Sequence, residues 1–207
     1  MNSDIRGHRS AVQVVALLLM AAALAACGTP GPTPAPQSSE VPIGATPWPG
    51  GTTGQYGLHI DPSLLARLPQ TVSALALVED AYSESSDMDN ADLSKTFDAF
   101  AAASIGQIGD ADWLELAIGR FKPAMQSPEV WPDEYASWVE QYATGACSQA
   151  DAVSGTAKQQ IGDWTVDVST CAGGVVVYSL PLGNGEVLSM FGAGPRDLGR
   201  KLIQVLY

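Results

Sequence analysis

In the stretch GDWTVDVSTCAGGVVVYSLPLGNGEVLSMFGAG, residues 162–194, apolar and polar side chains alternate clearly over 164–169, and glycine-containing segments divide the stretch into short runs. A period of two residues is typical of β-strands that have one buried face. Together with the residues just before it, this stretch predicts four strands, at 156–161, 164–171, 175–181 and 186–192. Asn184-Gly185, between the last two strands, is a strong signal for a type I′ hairpin. We therefore predict an antiparallel meander in the C-terminal part of the chain.

The residues on either side of this meander alternate between helical and strand-like patterns. The predicted elements before it are a short helix over 61–66, a strand over 71–81, a helix over 90–106, a buried strand over 112–122 and a helix over 132–145. After it, Pro195 begins a helix over 196–206. This order indicates the α+β class: a single domain, residues 58–207, whose mostly antiparallel sheet carries helices packed on one face.

The N-terminus has the features of an export signal. A mildly basic start precedes an apolar run over 11–26, which as a helix rises ~24 Å and so falls short of a ~30 Å hydrocarbon core. Its end, Leu24-Ala25-Ala26-Cys27, resembles the lipobox of bacterial lipoproteins. The resemblance implies diacylglycerol transfer to the Cys27 sulfur and cleavage before Cys27, so that 1–26 is a lipoprotein signal peptide. A short transmembrane anchor or an ordinary cleaved signal are the alternatives.

Residues 27–57 are predicted to be the lipidated cysteine and a linker. Seven prolines lie among residues 28–57, together with many glycines and threonines. Such a segment cannot bury a core and is expected to be extended, with an upper reach of ~90 Å. The expected protein is thus a domain held by lipid on the extracytoplasmic face of a membrane, at the cell surface or in the periplasm.

The charge of the chain argues against some partners. The formal net charge is −12, and an acidic domain is repelled by nucleic acid and by anionic lipid headgroups. We therefore expect no nucleic-acid partner, and we expect contact with the membrane through the lipid on Cys27 alone. Recruitment of cations or basic partners stays open, although an acidic surface more often serves solubility.

The chain has three cysteines. If Cys27 carries lipid, Cys147 and Cys171 remain as a pair in an oxidising compartment, where a disulfide is expected. Two buried thiols are the alternative. Cys171 falls in register with the polar residues 165, 167 and 169, and this polar face of the strand is expected to point away from the core. A disulfide to a core-facing helix would therefore need a bulge in the strand, or a position at the edge of the sheet.

Patterns for catalysis and metal binding are weak. His59 is the single histidine outside the signal peptide, and the chain has no G-x-S-x-G or H-E-x-x-H motif. Residues 87–98 begin like a calcium loop, but Asp92 replaces the turn glycine and Asp98 the bidentate glutamate, so helix capping is favoured over a weak oxygen-ligand site. Residues 191–199 mimic a dinucleotide-binding turn with Asp197 at the third glycine position. We expect no catalytic residue, metal or cofactor.

One aromatic series suggests a ligand surface. Trp131, Tyr135, Trp138 and Tyr142 follow i, i+4, i+7, i+11 spacing on the helix predicted over 132–145. Core packing explains such a stripe best, but buried phenols and indoles need polar partners, so a pocket lined by this helix is the expected ligand site.

The sequence thus predicts a non-catalytic, lipid-anchored binding or interaction module of the bacterial cell envelope. Its partner would be an envelope protein or a small molecule. The alternatives are an envelope hydrolase using Asp and Glu carboxylates, and a structural or assembly lipoprotein.

Overall fold

A computed structural model describes residues 51–148 and 152–206. The predictions for the signal peptide, for Cys27 and for the linker up to residue 50 lie outside the described residues. In chain order the strands are β1 (His59–Ile60), β2 (Thr71–Val72), β3 (Leu75–Ala76), β4 (Val78–Glu79), β5 (Phe97–Ile105), β6 (Trp113–Phe121), β7 (Val153–Ile161), β8 (Trp164–Cys171), β9 (Val176–Gly183) and β10 (Glu186–Ala193). The helices are α1 (Ala81–Asp87), α2 (Leu93–Thr96), α3 (Trp131–Cys147) and α4 (Leu198–Gln204), with 3₁₀ helices at Pro62–Arg67 and Pro123–Met125.

The predicted α+β domain and its C-terminal meander are confirmed. The main sheet has the strand order β1-β5-β6-β10-β9-β8-β7, with β4 also paired to β5, and all its pairings except β1–β5 are antiparallel. Asn184 and Gly185 have φ values of 55° and 71°, which is the geometry of the type I′ turn. The last four strands therefore follow one another across the sheet as the alternation predicts.

The helix predicted over 90–106 is wrong, because most of this segment is strand β5. Only Leu93–Thr96 is helical, and β5 is a central strand between β6 and the short strands β1 and β4. Seven of its nine residues are buried, since helices lie on both faces of the sheet. A strand buried on both faces loses the period of two, and its four alanines favour a helix by propensity alone.

The strand predicted over 71–81 is also wrong. The chain folds there into the hairpin β2–β3, continues as the short strand β4, and begins α1 at Ala81 with Asp80 as its N-cap. Ser73 and Ala74 form the turn with φ values of 54° and 65°. Such left-handed residues are usually glycine or asparagine, so the sequence gives no sign of this turn.

The helices lie on both faces of the sheet rather than on one. On strand β10, Ser189 bonds Trp138 of α3, whereas its neighbour Met190 on the opposite face packs in one cluster with Leu202 of α4. Helix α4 approaches the sheet so closely that a Cβ at Gly199 would lie 2.6 Å from the Tyr178 ring. Both faces of the central strands are consequently buried.

The 3₁₀ helix Pro62–Arg67 is fastened to the sheet on the α4 side by charged groups. Asp61 caps it by accepting from the backbone N–H of Ser63 at 3.1 Å, as the sequence predicts for this position. Arg67 lies 2.8 Å from Oε2 of the buried Glu186, and Arg120 donates to Oε1 at 3.0 Å. A buried carboxylate that is paired with two guanidinium groups holds this end of the domain together.

Residues 51–57, which the sequence assigns to the linker, are hydrogen-bonded to the domain. Ile60 donates its N–H to the carbonyl of Thr52 at 2.8 Å, and Thr53 forms an isolated antiparallel bridge with His59. Among the described residues, no helix is long and apolar enough to cross a membrane.

Candidate functional site

A disulfide fixes the C-terminal end of α3 to strand β8. Cys147 and Cys171 are bonded with an S–S distance of 2.05 Å and a Cα–Cα distance of 5.2 Å, which confirms the predicted pair. Cys171 keeps its alternation with Asp167 and Ser169, because α3 covers the polar face of β8. The conflict in register disappears once helices lie on both faces of the sheet.

Beneath α3 a row of polar side chains crosses four neighbouring strands. Lys158 of β7 is paired in register with Asp167 of β8, which is paired with Ser179 of β9, which is paired with Ser189 of β10. Directly opposed residues on adjacent strands project on the same side of the sheet. The face under α3 is therefore polar at its centre, although Ser179 and Ser189 are each only 1% exposed.

Helix α3 supplies hydrogen-bond partners to this polar row. The Tyr135 hydroxyl lies 2.9 Å from Oδ2 of Asp167 and 3.1 Å from the carbonyl of Ser179. The Trp138 indole donates from Nε1 to Oγ of Ser189 at 2.9 Å, and Oγ of Ser189 lies 3.1 Å from Oγ of Ser179. The buried polar groups are thus satisfied by one another, and their geometry fixes the position of α3 over the sheet.

The aromatic series on α3 is divided between the core and a cleft. The Trp138 ring packs edge-on against Phe97 with centroids 4.6 Å apart, and the Tyr142 ring lies 6.2 Å from Phe191. Trp131 and Tyr135 instead line an open cleft beside the helix. Half of the predicted ligand surface therefore belongs to the core.

This cleft lies between α3 and the β7–β8 hairpin and has a volume of about 800 Å³. One wall is the mostly apolar side of α3, and the other is the polar face of the two strands. The lining residues are Trp131, Pro132, Tyr135, Ala136, Val139, Glu140, Ala143 and Thr144 from α3, Val153, Thr156 and Lys158 from β7, and Asp167 and Ser169 from β8. A cleft of this size with a few convergent polar groups is the usual form of a ligand site.

The polar side of the cleft is centred on an ion pair. The Lys158 ammonium donates to both oxygens of Asp167, at 2.9 and 3.0 Å, and lies 6.0 Å from the centroid of the Tyr135 ring. The Asp167 side chain is only 11% exposed, whereas that of Lys158 is 67% exposed. Burial, and then the neighbouring Asp167 carboxylate, raise the pKa of Tyr135 above its ordinary value, so its hydroxyl keeps its proton and donates to Asp167.

A second polar cluster, on α1 and the nearby strands, has a structural role. Glu84 is 4% exposed and accepts the N–H of Ala102 at 3.0 Å. This N–H lies on β5 between the part paired with β1 and the part paired with β4. Burial raises the pKa of Glu84 to about 7, with a further upward contribution from Glu79 and Asp80. Burial and Asp80 likewise raise the pKa of Asp87 to about 6.

We expect these groups to make the domain more stable at pH 5 than at pH 8. A carboxyl whose pKa is higher in the folded than in the unfolded state stabilises the fold below its unfolded pKa, here 4.5 for Glu84 and 3.8 for Asp87. That stabilisation is lost as the pH rises through the folded values near 7 and 6. The free energy of unfolding, measured by urea denaturation, should fall by up to about 4 kcal/mol between pH 5 and pH 8, since one pKa unit corresponds to about 1.4 kcal/mol.

A glutamine at position 84 separates this effect from general charge repulsion. Glu84→Gln keeps an oxygen for the Ala102 N–H but does not titrate, so the loss between pH 5 and pH 8 should shrink. Glu140→Gln, at an exposed position of α3, makes the same charge change and should leave the pH profile as it is. A wild-type stability that is flat or rises over this range would refute the assignment.

The remaining sequence candidates are placed apart from the cleft. Nδ1 of His59 lies 3.2 Å from Oγ1 of Thr53. In the segment 87–98, Asn90 accepts the N–H groups of Asp92 and Leu93, which is helix capping. Asp197 caps α4 and accepts from the Tyr178 hydroxyl at 2.7 Å. Within residues 51–148 and 152–206, no three His, Cys, Asp or Glu side chains are grouped so as to hold a metal ion.

Lys158 and Asp167 are site residues that motif searching misses. A signal for them exists in the turn Gly162-Asp163, because counting outward from a two-residue hairpin pairs position 158 with position 167. What the sequence does not show is that α3 lies beside this pair and turns an exposed sheet face into a cleft.

Comparisons with known proteins found no relative of this chain. No protein-family model, no curated protein and no solved structure matches the chain.

Proposed function

We propose that this chain is a lipid-anchored binding module on the extracytoplasmic face of a bacterial cell envelope, and that the cleft beside α3 holds its ligand. The observation that carries the proposal is the cleft itself, about 800 Å³ in volume. It combines a mostly apolar wall with convergent polar groups, which is what ligand sites share. The lipobox-like tetrad at Cys27 and the proline-rich segment after it support the location.

Two carboxylates line the cleft, Glu140 and Asp167, and the hydrogen bonding of Asp167 favours binding over hydrolysis. Hydrolases that rely on two carboxylates need one as an acid and the other as a base or nucleophile. Asp167 is held instead by two hydrogen bonds from Lys158 and one from Tyr135. These hydrogen bonds fix the orientation of the Asp167 carboxylate as an acceptor, and the Lys158 ammonium balances its charge. Such an arrangement suits the binding of a ligand.

The proposal is tested by filling the cleft. Ala136 is an exposed residue that lines the cleft, whereas its exposed neighbour Ser137 does not line it. The purified full chain is screened by thermal denaturation with neutral oligosaccharides, with long-chain fatty acids and with extended peptides. We expect at least one of these probes to raise the melting temperature of the wild type. Ala136→Trp should abolish that rise, and Ser137→Trp should preserve it.

Two outcomes would refute binding in this cleft. One is that no probe of any class stabilises the wild type. The other is that a stabilising probe acts equally on Ala136→Trp, which would place its site elsewhere. Because both substitutions add the same side chain at exposed positions of one helix, a difference between them reports the cleft rather than the stability of α3.

A further inference from the structure

We infer that the ligand of this cleft is a neutral oligosaccharide, held by two neighbouring hydroxyls on the Lys158–Asp167 pair and by the aromatic side chains that line the cleft, Trp131 and Tyr135. The inference rests on the proposed function, since it names the ligand class of the same cleft.

The ion pair presents a donor and an acceptor side by side. The Lys158 ammonium has three N–H donors, of which two are directed to Oδ1 and Oδ2 of Asp167. Oδ1 accepts only this one bond from the described residues, although a carboxylate oxygen has room for two. A vicinal diol matches this arrangement, because each hydroxyl both donates and accepts: one hydroxyl donates to Oδ1 and its neighbour accepts from Nζ.

An aromatic surface lies next to the pair. The Tyr135 ring is held in place by its hydroxyl, which donates to Asp167 and lies 3.1 Å from the Ser179 carbonyl oxygen. Trp131 lies nearly parallel to this ring, at 22° with centroids 5.9 Å apart. The face of an aromatic ring carries partial negative charge, and the C–H groups on one face of a sugar ring carry partial positive charge. A sugar is unusual among small ligands in presenting an apolar face and a rim of hydroxyls together.

Further hydroxyls extend the polar side along the strands. Thr156 and Ser169 are paired in register, with their hydroxyl oxygens 3.0 Å apart. They lie two residues from Lys158 and Asp167 on the same face, about 7 Å along the strand. Ser169 is only 2% exposed, so the exposed Thr156 hydroxyl is the group that the cleft offers to a ligand longer than one sugar ring.

Other ligand classes fit this cleft less well. An anionic ligand meets Glu140 on the helix side and a chain with a net charge of −12. A purely apolar ligand would remove water from the Lys158–Asp167 pair and would offer no hydrogen bonds in place of that water. The desolvation of the two charges would then weaken binding. A peptide that added to the edge strand β7 would meet the exposed Lys158 and the irregular pairing between Val153 and Gly155. Both features disfavour the pairing of a further strand at a sheet edge.

Calorimetric titration of the purified full chain tests the inference. The probes are trisaccharides of glucose, mannose, galactose and N-acetylglucosamine, an anionic trisaccharide that contains glucuronate, palmitate, and an extended peptide. We expect at least one neutral trisaccharide to bind with a Kd below about 1 mM. Lys158→Gln should weaken it about tenfold, as expected when a hydrogen bond from a charged donor is lost, and Thr156→Val should weaken it less.

The control and the contrary outcomes are distinct. Lys201→Gln makes the same charge change on α4, on the opposite face of the sheet, and should leave the Kd unchanged. Equal binding by wild type and Lys158→Gln, or binding of the anionic trisaccharide alone, would overturn the inference. Binding of palmitate or the peptide alone, abolished by Ala136→Trp, would overturn the sugar class and leave the proposed function standing. No binding by any probe would overturn both.

Discussion

Replacing Cys27 by alanine is expected to move the protein from the membrane fraction to the soluble fraction. If the Cys27 sulfur and the new amine carry acyl chains, two or more chains hold the protein stably, at ~0.8 kcal/mol for each buried CH₂ group. Without the cysteine there is no attachment point for lipid, and an acidic domain has no affinity of its own for anionic headgroups. Fractionation of the bacterial host, followed by immunoblotting, measures the shift.

A matched substitution shows that the effect belongs to the sulfur. Ser39→Ala also places an alanine in the N-terminal segment and should leave the protein at the membrane. The wild type should partition into a detergent phase, and its mass should show cleavage before residue 27 together with the added lipid. If Cys27→Ala stayed in the membrane fraction although its mass showed that residues 1–26 had been removed, the lipid anchor would be wrong.

Removing the disulfide is expected to destabilise the domain by about 3 kcal/mol. Cys147 and Cys171 are 24 residues apart in sequence, and a cross-link that closes a loop of this length restricts the unfolded chain by roughly that amount. Both sulfurs are also in the core, with Cys147 1% and Cys171 4% exposed, so replacement by alanine removes buried volume as well. Urea denaturation of the Cys147→Ala, Cys171→Ala double variant measures the loss.

The double variant is best compared in the Cys27→Ala background, which removes the third cysteine from the thiol count. Reducing the parent should lower its free energy of unfolding toward that of the double variant, whereas reductant should not affect the double variant itself. Thiol labelling of the denatured, unreduced parent should find no reactive cysteine. Two labelled thiols, or a loss of stability below about 1 kcal/mol, would contradict the account.

The C-terminal half of the fold is predictable because its alternation survives. Strand β8 alternates apolar and polar side chains over 164–169, and glycine-containing turns mark the ends of β8, β9 and β10. The alternation rule fails for strand β5, because its run of alanines is buried on both faces of the sheet and favours a helix by propensity. The turn at Ser73-Ala74 is hidden for another reason: its positive φ values are imposed by the surrounding structure.

The candidate site is predictable only in part. The spacing of Trp131, Tyr135, Trp138 and Tyr142 correctly places them on one helix. Which of them meets a cleft depends on how α3 lies across the sheet, and that position is set by long-range bonds such as Trp138 to Ser189. The polar face of β8 appears in the sequence as solvent-exposed, since only the tertiary structure brings α3 over Asp167.

The most direct test of the cleft as the binding site is an NMR titration of the uniformly ¹⁵N-labelled Cys27→Ala protein with the probe that stabilises it most. If the ligand binds in this cleft, the largest amide shifts will cluster on the cleft-facing residues of α3 and on the β7–β8 hairpin around Lys158 and Asp167. These shifts will disappear in Ala136→Trp. Shifts confined to α1 and β4, or to the face covered by α4, would contradict binding in the cleft.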